Sequence, residues 1–503
     1  MSTAFGRTVE QRAQIIAVAL ACLLVAGVGA RFYRLDAQSL WLDELWTAAA
    51  SDPDLRLADM FNRWILPDVH PPLYYMMMRG WRMAFGAGEW ALRLPSAVLS
   101  ALCVAVVPLV QRWTPVVRRP LALAAWFATS TGAILYAQEA RSYALLLLLA
   151  TTATCLGVAI ARRIKQRDTI LGSTVVLAAV TVTLEYVHYF GVLIAAGLFG
   201  ALFLFAIAHR DHRALGTIVM TGLATILAFL PWMLIHIPRL GGKLGGEFWI
   251  SNNWSVIFTR LAAFAIGAPV VFAAVAVVVI GSLVRRPYLM RQPEYFVSLV
   301  AMGIILMAAL AISFHTPVIT DRNLFILIPP FYIVSIAAFS DLEDIGGGSY
   351  RQVLRAVPAA IAAVSLGVAT YRMATETKEQ WRDAAALIVS LPGCEVGPLP
   401  VNQLPKEFYA YYLPPGYRDR LLEVSATGVE PMPISASELI DRPCPLLLWS
   451  GNNAREEVVV TWLDRLGLDR QDVLVKKFER NMIVLAPRAS GLEIGSEPAS
   501  SSP

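Results

Sequence analysis

Asp43 and Glu44 stand side by side in the stretch SLWLDELWTAAA, between Trp41 and Trp46 and just after the first long apolar run. A carboxylate at the margin of a membrane is costly unless it is solvated, paired or used. Tryptophans favour the headgroup layer, so Trp41 and Trp46 would hold the pair there. The two acids read either as an exposed loop or as a general base or metal-ligating carboxylate. His70 opens HPPLYY, where Pro71 and Pro72 stiffen its position. Tyr74 and Tyr75 follow as packing residues whose hydroxyls could meet a sugar. QEARSYAL puts Glu139 and Arg141 in a tight turn, as a mutual ion pair or with Arg141 serving an acidic site or a phosphate. EYVHYFG spaces Glu185 and His188 by one helical turn, an incomplete metal site or a hydrogen-bonded turn. Arg239 and Lys243 lie in the glycine-rich IPRLGGKLGGEFW, which lacks the Walker lysine pattern. Arg322 opens a late span near His315 and Asp321. A guanidinium there can grip a phosphate through paired hydrogen bonds, or snorkel to lipid headgroups. The early loops thus carry carboxylates and histidines, and the later ones carry cations. That division suits a hydroxyl that must lose a proton and a phosphate that must leave.

The elements that must position these residues are long apolar runs. The chain has 503 residues, 57% of them hydrophobic and only 16% charged. Runs of about 17 to 22 apolar residues match a hydrocarbon layer roughly 30 Å thick. A polytopic helical membrane protein follows, and a transmembrane barrel, with its short alternating segments, does not. About eleven spans are expected, near 14–33, 92–111, 120–137, 142–161, 169–187, 189–208, 214–235, 266–284, 295–314, 324–340 and 353–371. The first run is too long and too poorly terminated for a cleaved signal peptide, so it reads as a retained helix. The net charge of +5 suits cationic loops beside lipid phosphates and gives no sign of nucleic acid.

Orientation follows from the basic residues. Arg7, Arg12, Arg112, Arg118, Arg119, Arg162, Arg163, Lys165, Arg167, Arg210, Arg213, Arg285, Arg286, Arg291, Arg351 and Arg355 fall on one side if the spans alternate. That side is cytoplasmic by the positive-inside rule. The loop with Asp43, the QEAR and EYVHYF turns, the 236–265 loop, the 315–323 loop and the C-terminal region then face outward. Within the first outer loop, 34–91, PDLRLADMFNRWI and HPPLYYMMMRGWRMAFG read as interfacial helices, with Pro71 and Pro72 in the first turn of the second.

From about residue 374 the composition becomes that of a soluble domain. KEQWRDAAALIVSLPG and EVVVTWLDRLG read as helices, CPLLLWS as a buried strand, and VLVKKFERNMIVLAP as a hairpin around Arg480 and Asn481. The expected organisation is a membrane module over 1–373, an α/β domain over 374–489 and a disordered tail over 490–503. Cys22, Cys103 and Cys155 lie in apolar runs as packing residues. Cys394 and Cys444 lie in the soluble part and would pair if it faces an oxidising compartment.

WLDE after the first span, HPPLYY before the second, EARSYAL opening a span and an Arg-led span late in the chain together resemble the GT-C glycosyltransferases. The resemblance is to the branch that contains protein O-mannosyltransferases and the lipid A aminoarabinose transferase, glycosyltransferase family 39 and its relatives. It covers roughly residues 10 to 380. It implies an all-α GT-C-like module of about eleven transmembrane helices with a small extracytoplasmic α/β domain, in a bacterial plasma membrane. It further implies inverting transfer of a sugar from a polyprenyl-phosphate donor to a hydroxyl acceptor on a protein, lipid or glycan. By this analogy Asp43 is the catalytic carboxylate and Glu44 orients the site. His70, Tyr74, Glu139, Arg141, His188, Lys243 and Arg322 serve substrate binding, with Arg322 and Lys243 on the donor phosphate. A divalent cation is compatible, with Asp43, Glu44 and His188 as its candidate ligands. The alternative is a transporter or flippase of a lipid-linked sugar, which would place charges near the midplane and often show paired repeats. A scaffold that binds cell-wall polymer is a third reading.

Overall fold

The apolar runs fold as helices that break where prolines, glycines and charges interrupt them. The computed structural model describes residues 2–244, 253–345, 348–402, 404–426, 434–451 and 455–485, with the side chains of 2–10, 240–244 and 348–349 outside that description. Eight helices among them are long and apolar enough to cross a bilayer. Two bent pairs raise this to ten: Pro120–Thr129 with Thr131–Ala137, bent by 52°, and Trp254–Ile266 with Pro269–Arg285, bent by 81°. The run expected at 169–187 forms the shorter apolar helix Leu171–Val187. The chain is a multi-pass helical membrane protein. One expectation is corrected: the glycine-rich stretch after 235 is not loop throughout, because the helix from His212 continues to Leu244 with Pro231 and Pro238 inside it. A proline costs its helix one hydrogen bond, and this helix carries two of them. The helix Trp254–Ile266 occupies the last part of the same expected loop.

The chain divides into two compact units. The first comprises residues 1–35 and 50–376. Its core runs along the helices that bury most, Tyr143–Gln166, Phe190–Ala208 and Asn323–Ile345. The break between Thr129 and Thr131 frees backbone carbonyls inside this unit, and Arg31 satisfies them. Fully buried, its guanidinium donates to Phe127 O at 2.8 Å, to Gly27 O at 2.6 Å and to Ala128 O, and its Nε donates to Ser100 Oγ at 2.8 Å. Close approach of the two helices makes this possible, since a Cβ on Gly27 would lie 2.4 Å from Ala128 O. Arg31→Met should therefore lower stability by about 3 kcal/mol or more, the scale for orphaning buried acceptors of a charged donor. The midpoint of thermal unfolding in detergent measures it.

The second unit comprises residues 36–49 and 377–503. Its sheet has five strands: β1 Leu399–Asn402, β2 Leu421–Val424, β3 Leu446–Ser450, β4 Leu474–Phe478 and β5 Asn481–Leu485. Their order is β2-β1-β3-β5-β4. β1 runs parallel to β2 and β3, while β5 is antiparallel to β3 and β4. The expected strand CPLLLWS is β3, buried along its length. The expected hairpin is β4–β5, with Arg480 at φ 57° in its turn. The helices Trp381–Ser390 and Glu456–Leu466 pack on the sheet, the latter ending on Gly467 in the left-handed conformation that favours glycine. Cys394 and Cys444 form a disulfide. The expected 490–503 tail lies outside the described residues. Neither the parallel pair β1–β2 nor the grouping of 36–49 with the C-terminal residues has a signal in the sequence pattern.

Candidate functional site

In the first unit, the loop between two helical segments carries a polar cluster that includes several of the sequence candidates. A π-helical turn, Met60–Ile65, ends at Leu66, and the helix Leu73–Phe85 begins after Pro72 as its N-cap. Pro71 and Pro72 thus precede that helix rather than fill its first turn. The helix is tied back by Arg79, which donates to Pro53 O at 2.8 Å and to Leu55 O at 2.7 Å. Between the two segments Asp68 receives two hydrogen bonds on one oxygen. His70 Nδ1 lies 3.0 Å from Asp68 Oδ2, and Tyr75 Oη donates to the same oxygen at 2.5 Å. Arg141 reaches both partners: its Nη1 donates to Tyr75 Oη and its Nη2 faces His70 Nε2, each at 3.4 Å. Because a guanidinium only donates, His70 Nε2 is the acceptor, and the ring proton sits on Nδ1 against the carboxylate.

His188 completes the cluster. The helix Leu171–Val187 ends one residue before it, and His188 is extended, at φ −159°. Gly191 allows the sharp return, since a Cβ there would meet Leu184 backbone at 2.5 Å. The expected one-turn relation to Glu185 is therefore lost: His188 has left the helical face that Glu185 still occupies. His188 Nδ1 accepts the Phe190 N–H at 3.2 Å, so its proton is on Nε2. Its ring lies edge-on to His70, with centroids 5.3 Å apart, and 6.2 Å from the Tyr143 ring. The Arg322 guanidinium sits over that same Tyr143 ring at 6.0 Å. Arg322 caps the short 3-10 turn Asn323–Leu327.

The electrostatics of the loop have clear signs. Burial alone would raise the Asp68 carboxyl, but His70, Arg141 and the Tyr75 hydroxyl together hold it well below the ordinary carboxylate range. Burial, then Asp68, pushes the Tyr75 phenol well above its usual value. Burial first, then the neighbouring His70 and Arg141, pushes His188 well below the usual imidazole value, so it stays neutral. The site thus offers a fixed carboxylate, two positioned imidazoles and two guanidinium groups.

The other end of this unit has a different character. Arg118 pairs with Asp341 at 3.3 Å and with Asp344, and Arg162 pairs with Glu294 at 2.8 Å. Arg119 and Arg355 both pair with Glu343. A cavity of about 380 Å³ is lined by Arg118, Arg162, Arg286, Glu294, Asp341 and Asp344. Tyr143 and Arg162 lie on one helix, nineteen residues apart, which is roughly 28 Å at the helical rise. Arg162, with the Arg118 and Arg286 that line the same cavity, therefore lies about a bilayer's thickness along the helix from Tyr143.

In the second unit, Asp43 and Glu44 occupy the first turn of the helix Leu42–Ala50, where carboxylates complement the helix dipole. They differ sharply. Glu44 is fully buried, and its Oε2 accepts from Trp41 N at 3.2 Å and from Lys378 Nζ at 3.2 Å. The first bond is the returning half of a capping box. Asp43 is half-buried, and the Thr47 hydroxyl donates to its backbone carbonyl at 3.2 Å. Glu44 Oε2, committed to an N–H and an ammonium group, is poorly placed as a ligand for a dication. No three His, Cys, Asp or Glu side chains converge as a metal site among the described residues.

The sequence candidates thus fall into two sets. His70, Arg141, His188 and Arg322 are linked through one chain of contacts, and the buried Tyr74 packs its ring 6.1 Å from Tyr75. Glu139 enters through its backbone, accepting the Arg141 N–H at 2.8 Å. Asp43 and Glu44 belong to the other unit. Lys243 falls on the last turn of its helix, with its side chain outside the described residues. Sequence reasoning missed Asp68, Lys378 and Glu379. The order DVH, an acid two residues before a histidine, was the available signal for Asp68. Glu379 had none, because its backbone partner Leu42 lies 337 residues away.

No family model matches the chain, and no curated protein matches it either. Solved structures do. ArnT from Cupriavidus metallidurans in the apo state aligns with a TM-score of 0.59 at 15% identity, over 96% of this chain and 98% of that one. The same protein bound to undecaprenyl phosphate aligns at 0.53 and 16%, over 95% and 98%. The archaeal oligosaccharyltransferase AglB from Archaeoglobus fulgidus, in complex with an inhibitory peptide and a dolichol-phosphate, aligns at 0.52 and 13%, over 92% of this chain and 69% of that one. The architecture is that of the GT-C fold.

Proposed function

We propose that this chain transfers a sugar from a polyprenyl-phosphate donor to a hydroxyl acceptor on the extracytoplasmic face, inverting the anomeric centre. The observation that carries the reading is the convergence of Arg141, Arg322, His70 and His188 at one end of the membrane unit, where a lipid-borne phosphate would arrive. The GT-C fold supports it. So does the lipid phosphate bound to the similar structures, undecaprenyl phosphate in one and a dolichol-phosphate in the other. The Cys394–Cys444 bridge fits an oxidising compartment for the second unit. The paired arginines at the far end of the membrane unit fit a cytoplasmic face.

In this reading Asp43 takes the proton from the acceptor hydroxyl as its oxygen attacks the anomeric carbon. The bond from that carbon to the phosphate oxygen breaks, and its electron pair leaves with the polyprenyl phosphate. Arg322 and Arg141, with Lys243, neutralise the charge that develops on the phosphate. Asp68 fixes His70, and the tyrosine hydroxyls and Glu139 line the sugar's surroundings. Glu44 shapes the helix that carries Asp43 and takes no part in the chemistry. A flippase fits less well, since such proteins work from charges near the midplane and these sit at the ends of helices. Mass spectrometry of envelope glycans from cells with and without the chain tests the proposal. A sugar on a protein, lipid or polysaccharide should vanish without it and return with the wild-type chain. Unchanged glycans would contradict it.

A further inference from the structure

The second unit holds a strap whose purpose the proposed reaction leaves open. Glu379 is buried, and one of its oxygens, Oε2, accepts two hydrogen bonds. Trp381 Nε1 donates at 2.6 Å, and the backbone N–H of Leu42 donates at 3.1 Å. Leu42 is the residue before Asp43 and the first of its helix. Trp381 is itself immobilised in the sheet core: its ring lies 5.8 Å from Trp449 on β3 and 5.2 Å from Tyr409, and it covers Gly451 so closely that a Cβ there would overlap it. The line of force runs from β3 through Trp381 and Glu379 to the backbone beside Asp43. Neighbouring bonds repeat the pattern. Lys378 N donates to Gln38 Oε1 at 2.7 Å, Tyr412 Oη accepts the Leu40 N–H at 2.6 Å, and Arg382 N donates to Ser39 Oγ at 3.2 Å.

A buried carboxylate is a costly choice for such a strap. Burial and the nearby charge of Asp43 raise Glu379, while Trp381, Arg480 and the Leu42 N–H oppose them, and the balance is upward. Arg480, on the β4–β5 turn, stands 3.8 Å from Oε1. An ordinary linker between a membrane module and a soluble domain would not spend a buried charge on one backbone N–H next to a proposed base. Holding that N–H in place is what a single, short-armed acceptor does well.

We propose that Glu379 is a positioning residue for Asp43, and that the C-terminal α/β domain is a working part of the transferase: it sets the aim of the proposed base through the Leu42 N–H. This rests on the reading of Asp43 as the acceptor-side base.

The test uses the full chain in native membranes carrying their own donor and acceptor, with the initial rate of product read by mass spectrometry. Glu379→Gln keeps a carbonyl where Oε2 stands and should stay within about threefold of wild type, the scale of a neutral hydrogen bond replacing a charged one. Glu379→Asp keeps the charge but withdraws it by one methylene, and should fall about tenfold or more, because small misplacements at a reacting centre are amplified in rate. Binding of undecaprenyl phosphate alone should be unchanged in both, and Glu379→Asp should lower the melting temperature by no more than a lost buried hydrogen bond does. A role in charge alone or in folding alone would give the opposite order or move all readouts together. Tyr412→Phe, which removes only the hydroxyl holding Leu40, should slow transfer several-fold with the same controls, and it decides the matter should the Glu379 variants not fold. Wild-type rates in Glu379→Asp and Tyr412→Phe beside an inactive Asp43→Asn would overturn the inference and leave the proposed function standing. Activity in Asp43→Asn would instead overturn the reading on which it rests.

Discussion

Asp43→Asn is expected to lower the rate of sugar transfer by about 10²–10⁴-fold, the contribution of a positioned general base. The substitution is close to isosteric, so the fold should survive. Asp43 sits in the second helical position of Leu42–Ala50. Asparagine there loses part of the favourable interaction with the helix dipole, worth about 0.3–1 kcal/mol. The helix keeps its other supports, the Glu44 bond to Trp41 N and the Glu379 bond to Leu42 N. Binding of undecaprenyl phosphate should persist, since the proposed phosphate grip lies on residues of the other unit. Loss of transfer with retained lipid binding and an unchanged melting temperature would separate chemistry from folding. Glu44→Gln is the informative contrast. It weakens the pair with Lys378 and should destabilise the chain more than it slows the reaction.

Asp68→Asn carries the second large expectation. The carboxylate accepts from His70 Nδ1 and Tyr75 Oη, and it balances the buried Arg141 guanidinium. An asparagine can keep an oxygen where Oδ2 stands, but it loses the charge that strengthens both bonds and balances Arg141. The rate of transfer should fall by about tenfold, the scale of two charge-assisted hydrogen bonds becoming neutral ones. Tyr75→Phe removes only a neutral hydroxyl and should cost a few-fold at most. Stability should respond to pH with a definite sign. Asp68 is depressed in the folded chain, so its contribution is present above the unfolded carboxyl value of about 4 and is lost as pH falls below it. Asp68→Asn should therefore be less stable than wild type at neutral pH, and the gap should narrow in acid. Melting temperatures across that range, alongside initial rates, check both halves.

The features legible in the residues alone are those with local signals. Apolar length marks the membrane spans, and turn chemistry marks the β4–β5 hairpin, because each depends on neighbours in sequence. The 236–265 region misleads for the same reason: glycines and prolines are local breakers, and the helix to Leu244 persists through them. In the site, His70 and Arg141 stand out through their motifs, yet the residue that joins them, Asp68, does not, because an acid in a polar loop has no distinctive spacing. Glu44 looks equivalent to Asp43 in sequence. Only the fold brings Lys378, from a segment 334 residues away, onto Glu44. Glu379 and Tyr412 are invisible for a related reason: their partners are distant in the chain.

The most direct test of the central claim is a mass balance in membrane vesicles loaded with a polyprenyl-phosphate-linked sugar and the native acceptor. The wild-type chain should form new glycosidic bonds and release free polyprenyl phosphate mole for mole, with the anomeric configuration inverted, and Asp43→Asn should do neither. Movement of the lipid-linked sugar across the membrane with no bond formed, or equal product from Asp43→Asn, would contradict it.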